Sequence, residues 1–157
     1  MCSSDLAAVA TASSVEGGQL LLLKVAFGAR AQAFGVGCGM TLAAAPASRP
    51  ALGTTFGMDI DRITLGSVFG VMVFGNTGFP TGIDLTSIGM PGCELYASID
   101  VLLSFPLTGT PTTFGLPIPG TPSLSGVVLE AQAATLTPAV NPLNLLSSNG
   151  LELKLGL

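Results

Sequence analysis

The chain has 157 residues, of which 48% are apolar and only 9% charged, with a net charge of −4 and no histidine. Five basic side chains build no stripe that could neutralise phosphates, which argues against nucleic acid as a partner and against polybasic attachment to anionic lipid. No apolar run approaches the roughly 18 residues of a membrane-spanning helix, and one Tyr with no Trp is too little for the aromatic girdles of a membrane barrel.

In chain order, the first six residues stand apart. Met1-Cys2-Ser3-Ser4-Asp5-Leu6 match the translation of the end of a common short-read sequencing adapter, with GTG taken as the start codon. They are expected to be an artefact of a truncated metagenomic gene and are set aside before fold reasoning. Cys2 then leaves the cysteine count, and the remaining two can pair. Residues 7–33 are read as the remnant of a preceding domain or a linker, with Gln19 to Val25 as one possible strand and Gly28 to Ala33 as a connector.

From Phe34 onward, short apolar segments alternate with Gly, Pro, Asn and Thr clusters, the pattern of a β-sandwich or barrel. Met40 to Ala45 predicts a strand stopped by Pro46 and Pro50. Phe56, Met58 and Ile60 alternate with Gly57, Asp59 and Asp61, which predicts a half-buried strand with one wet face. Val68 to Phe74 is apolar on both faces and predicts a central strand. Gly75 to Gly78 turns the chain, and Pro80 is expected to delay the next strand.

An irregular crossing over Ile83 to Pro91 leads to a strand at Cys93 to Ser98. Val101, Leu103, Phe105 and Leu107 share one face of the next strand. Thr113 to Ile118 follows, where Pro117 implies an edge or a bulge. Val127, Leu129, Ala131 and Ala133 oppose Val128, Glu130, Gln132 and Ala134. After at most a helical turn at Leu143 to Leu146, the closing strand sets Leu151, Leu153 and Leu155 against Glu152 and Lys154. The fold class is therefore all-β: an antiparallel two-sheet β-sandwich, Ig-like or jelly-roll-like, of about eight strands over residues 34–157. Scattered Gly and Pro leave no window for a capped amphipathic helix.

The candidate sites are few. Cys38 and Cys93 each follow a Gly where a predicted strand begins. A metal pair, a reactive thiol and two free thiols are the alternatives to a disulfide. Without His, two thiols make no zinc site, and no Cys-x-x-Cys serves redox chemistry, so a disulfide is expected. Asp59 and Asp61 share a strand face beside Arg62. They could form part of a calcium site or a glycosidase pair, but a solvated face accounts for them as well. Asp84 and Asp100 fall at strand ends, where Asp supports local hydrogen bonds. Phe79, between Gly78 and Pro80, is the loop aromatic to check for exposure. A Ser-His-Asp arrangement is impossible without His, and Gly35-Val36-Gly37 precedes a strand rather than a dinucleotide-binding helix. No enzyme, cofactor or metal is expected.

Several segments carry a resemblance: Phe34-Gly35-Val36-Gly37-Cys38, Pro50-Ala51-Leu52-Gly53-Thr54-Thr55-Phe56, Ile88-Gly89-Met90-Pro91-Gly92-Cys93-Glu94-Leu95-Tyr96, Leu116-Pro117-Ile118-Pro119 and Ser148-Asn149-Gly150-Leu151-Glu152-Leu153. In this order they resemble a family of uncharacterised secreted bacterial (planctomycete-type) β-domains, which usually close long extracellular proteins. The resemblance implies an extracellular or cell-surface location and the β architecture, and carries no activity. The expected role is a non-catalytic structural or interaction module that packs on a neighbouring domain of the same protein or on another protein. The alternative is a module that binds a glycan or calcium. The scarcity of charge further predicts an exposed apolar patch.

Overall fold

The computed structural model describes residues 28–157. The adapter match Met1 to Leu6 and the possible strand Gln19 to Val25 lie outside the described residues. Ten strands follow in order: β1 Arg30–Phe34, β2 Thr41–Ala44, β3 Thr55–Asp61, β4 Phe69–Gly75, β5 Gly78–Asp84, β6 Glu94–Ala97, β7 Val101–Phe105, β8 Thr112–Pro117, β9 Val128–Leu136 and β10 Leu145–Lys154. Two short 3-10 turns, Thr86–Ile88 and Pro122–Leu124, are the helical pieces among the described residues. None of these is long and apolar enough to cross a membrane.

The protein is an all-β sandwich. A five-stranded antiparallel sheet, β1-β10-β9-β4-β7, faces a three-stranded one, β2-β3-β8. Strand alternation fills the space between them. Met72 and Phe74 of β4, Ala131 and Ala133 of β9, and Leu151 and Leu153 of β10 meet Leu42 of β2 and Phe56, Met58 and Ile60 of β3. The rings of Phe74 and Phe105 close on Phe114 of β8, with centroids 6.1 and 5.6 Å apart. Gly70 of β4 has no side chain because the Phe105 ring lies over it; a Cβ there would stand 2.2 Å from the ring. The apolar run Val68 to Phe74 supplies β4, Phe69–Gly75, an interior strand, and Pro117 ends an edge strand, where its missing N–H leaves no bond unmade.

A third layer was not legible in the pattern. β5 and β6 pair with each other and form a two-stranded ribbon. This ribbon covers part of the outer face of the five-stranded sheet. Gln132 of β9 donates from Nε2 to the carbonyls of Glu94 (2.8 Å) and Ser148 (2.7 Å), and its Oε1 accepts the Tyr96 N–H at 2.9 Å. Tyr96 stacks edge-on against Phe34, with centroids 5.6 Å apart. A lone two-stranded ribbon is marginal in water; here the Cys38–Cys93 disulfide clips it down. Their Cα atoms are 4.9 Å apart across a sequence separation of 55. The sulfurs join the β1–β2 connection to the start of β6.

Asn149 solves a second problem at the sandwich seam. β10 bulges between Ser147 and Gly150, and the bulge aims the Asn149 amide at the free edge of β2. Its Oδ1 accepts the Leu42 N–H at 2.8 Å, and its Nδ2 donates to the Leu42 carbonyl at 3.0 Å. The side chain thus acts as a strand partner and ties the two sheets together. Ser148, fully buried, accepts the Ala133 N–H at 2.9 Å in the same bulge. Buried polar groups of this kind are tolerated because they are bonded.

Four sequence expectations are corrected. The β-domain does not begin at residue 34, because β1 starts at Arg30 and pairs with β10 along its whole length. Among the described residues the strands number ten rather than about eight, the additions being β1 and β5. Pro80 does not delay the chain: it sits inside β5, where pairing with β6 lapses between Gly78 and Ile83 and no N–H is required. Leu143 to Leu146 forms no helical turn, since Leu145 already opens β10. On β9, Glu130 and Gln132 are 8% and 1% exposed beneath the ribbon.

Candidate functional site

The sequence-derived candidates separate in space and do not converge on one centre. Cys38 and Cys93 are bonded and structural. Asp59 and Asp61 do share the outer face of β3, and one oxygen of each, Oδ1, is already engaged. Asp59 accepts the Thr113 hydroxyl at 2.6 Å; Asp61 accepts the Arg62 backbone N–H at 2.7 Å and the Thr110 hydroxyl at 2.9 Å. Those two bonds hold the Asp61 carboxyl below its ordinary value. The Arg62 guanidinium forms no ion pair with either Asp; among the described residues the ion pair is Arg30–Glu152, at 2.8 Å. Phe79 is no loop aromatic. It lies in β5 and is half-buried. Asp84 and Asp100 hold turns as expected, accepting from Thr86 and from Asn76 and Ser98.

The feature the sequence did not disclose is an acidic pocket on the ribbon side of the large sheet. Register places Gln32 of β1 opposite Glu152 of β10, and Glu152 opposite Glu130 of β9. The three side chains form one row across three strands. β5 roofs the row with Gly78 and Pro80, and Phe34 forms a wall; together they line a cavity of about 200 Å³. Gly78 is needed at the roof, because a Cβ there would stand 2.7 Å from Glu130 Oε1.

The electrostatics of the row are uneven. Arg30 holds Glu152 Oε1, in a bond whose side chains are 61% and 32% exposed. Glu130 Oε2 is buried and has no hydrogen-bond partner. Burial, and then the charge of Glu152, raise the Glu130 carboxyl above its usual range. Nearby, Tyr96 donates its hydroxyl to Glu94 and accepts the Val36 N–H at 2.9 Å; burial and then Glu94 raise that phenol. In the sequence pattern Glu130 and Glu152 oppose the apolar residues of their strands. Their position opposite each other in the longest strands was the available signal, but only the pairing register makes them neighbours.

The second feature is the edge of β7. Val101, Leu102 and Leu103 are 49%, 57% and 39% exposed. β7 ends the five-stranded sheet and pairs on one side only, with β4. The expected single buried face is therefore absent over most of this strand, and Phe105 alone is buried. The strand contains no charge and no Pro, the usual guards of an open edge.

No family model, curated protein or solved structure matches this chain.

Proposed function

We propose that this chain is a non-catalytic interaction module of a secreted or cell-surface bacterial protein, and that it docks a second copy edge to edge along β7. The observation that supports this is the unguarded edge itself. An open strand with free backbone groups and apolar side chains on both faces is a template for strand addition. A second copy suits it because the strand is self-complementary. Antiparallel pairing about a two-fold axis at Leu103 sets Val101 against the partner's Phe105 and Leu102 against the partner's Ser104, with no charge opposed. Pro106 ends the ladder on each side. Two edges of five residues bury less than the ~800 Å² per partner of a standard interface, so the dimer is weak and concentration-dependent. The disulfide accords with an oxidising, extracellular compartment.

The test is sedimentation velocity across a concentration series. The wild-type chain is expected to pass from monomer to dimer. Leu103→Lys places two ammonium groups directly opposite each other, which destabilises a cross-strand pair, and should remain monomeric. Leu102→Lys, on the more exposed face, is a second variant should the first disturb the core. A wild-type chain that stays monomeric at millimolar concentration, or a dimer unaffected by both lysines, refutes the proposal.

A further inference from the structure

We propose that the pocket over β1, β10 and β9 receives a basic side chain of a partner protein, an ammonium or guanidinium group, with Glu130 and Glu152 as its counter-charges. The pocket is separate from the β7 edge, and the inference does not depend on edge pairing.

The chemistry of the lining selects the ligand. Ionised carboxylates only accept hydrogen bonds. Glu130 is 8% exposed, lines the cavity, and carries an oxygen with no donor. Leaving such a group buried and unpaired is unfavourable. A cation offsets both its desolvation and its repulsion by Glu152; an anion would worsen both. Arg30 does not serve this purpose, since its contact is to Glu152 Oε1. Lys154 lies on the same face of β10 as Glu152, two residues on, and forms no ion pair among the described residues.

Size and walls favour a side chain over a bare ion. A cavity of about 200 Å³ is far larger than a metal ion needs. Among the described residues no three His, Cys, Asp or Glu side chains converge as a metal site. Phe34 and Pro80 present apolar surface to the methylene stem of Lys or Arg, and an aromatic ring can also face the cationic head. Gln32 adds an amide oxygen in the same row. The net charge of −4 favours approach of a basic partner.

The test uses the whole chain, labelled with ¹⁵N. N-acetyl-arginine amide and N-acetyl-lysine amide are titrated separately, with N-acetyl-citrulline amide as the uncharged isostere and calcium chloride as a metal control. At least one basic probe is expected to shift the amide signals of Gln32, Phe34, Gly78 and Glu130, saturating in the millimolar range, while citrulline does not. Glu130→Gln should weaken this binding at least tenfold and leave the sedimentation behaviour unchanged. If E130Q alters signals across the whole core, Glu152→Gln, whose side chain is partly exposed, tests the same pocket. The proposal is overturned if neither basic probe shifts these signals, or if citrulline shifts them equally. Binding that persists in both variants, or shifts produced by calcium instead of the basic probes, also overturns it.

Discussion

Replacing Asn149 by Ala removes the side chain that pairs with the edge of β2. The Leu42 N–H and carbonyl then lose partners at 2.8 and 3.0 Å. Leu42 is 1% exposed, so solvent cannot replace those bonds without opening the seam between the sheets. A buried backbone group left unpaired costs about 1–3 kcal/mol; two of them predict a loss of about 2–6 kcal/mol. Against a typical domain stability of about 5–15 kcal/mol, this is large. Urea unfolding with the disulfide intact measures it, as a lower midpoint at unchanged slope. Asn149→Asp is the control: it keeps an acceptor for Leu42 N–H but sets a carboxylate oxygen against the Leu42 carbonyl. At neutral pH it should be at least as damaging as Ala. It should recover in part as the pH falls through the carboxyl range of about 4, where the protonated acid can donate. A loss under about 1 kcal/mol for N149A would mean the edge of β2 finds other partners, and would refute the strand-mimic account.

Cys38→Ser with Cys93→Ser releases a loop whose ends are 55 residues apart, and chain entropy predicts a loss of about 4 kcal/mol; hydrogen exchange should show the β5–β6 ribbon losing protection first, and an unchanged unfolding midpoint would contradict this. The Glu130 carboxyl is raised from 4.5, so its contribution to stability is fully present below that value and declines as pH rises through the folded-state value. Glu130→Gln should remove that decline, and unfolding at pH 4 and pH 7 should show the variant gaining on the wild type at the higher pH; an equal difference at both values would rule the burial argument out. Asp59→Asn with Asp61→Asn should leave the fold intact, with a change within about 1 kcal/mol, because Asn Oδ1 can still accept from Thr113, Thr110 and the Arg62 N–H. A much larger loss would give these two carboxylates a role beyond a solvated strand face.

Much of the architecture was legible because strand alternation is a local property. Phe56, Met58 and Ile60 fall at every second position and are all buried. Pro117 marked an edge, and the apolar run at Val68 to Phe74 marked an interior strand. The cysteine pair followed from elimination of other thiol chemistry. Of the candidate site residues, Asp59 and Asp61 were placed correctly on one outer face, whereas Phe79 was misplaced because Pro80 suggested a loop.

The sequence by itself determined the fold class, the alternating core and the covalent clamp, since each rests on residue type and short-range spacing. Only the tertiary structure decided which polar strand residues meet water. Glu130 and Gln132 follow the same alternation as a solvent face, but the ribbon above them turns that face into an interior. The contacts responsible join residues distant along the chain: Tyr96 with Gln132 at a separation of 36, and Leu42 with Asn149 at 107. Alternation records which side of a strand a residue takes. What lies over that side is set by register and by the packing of a remote segment, and these brought Glu130, Glu152 and Gln32 into one pocket.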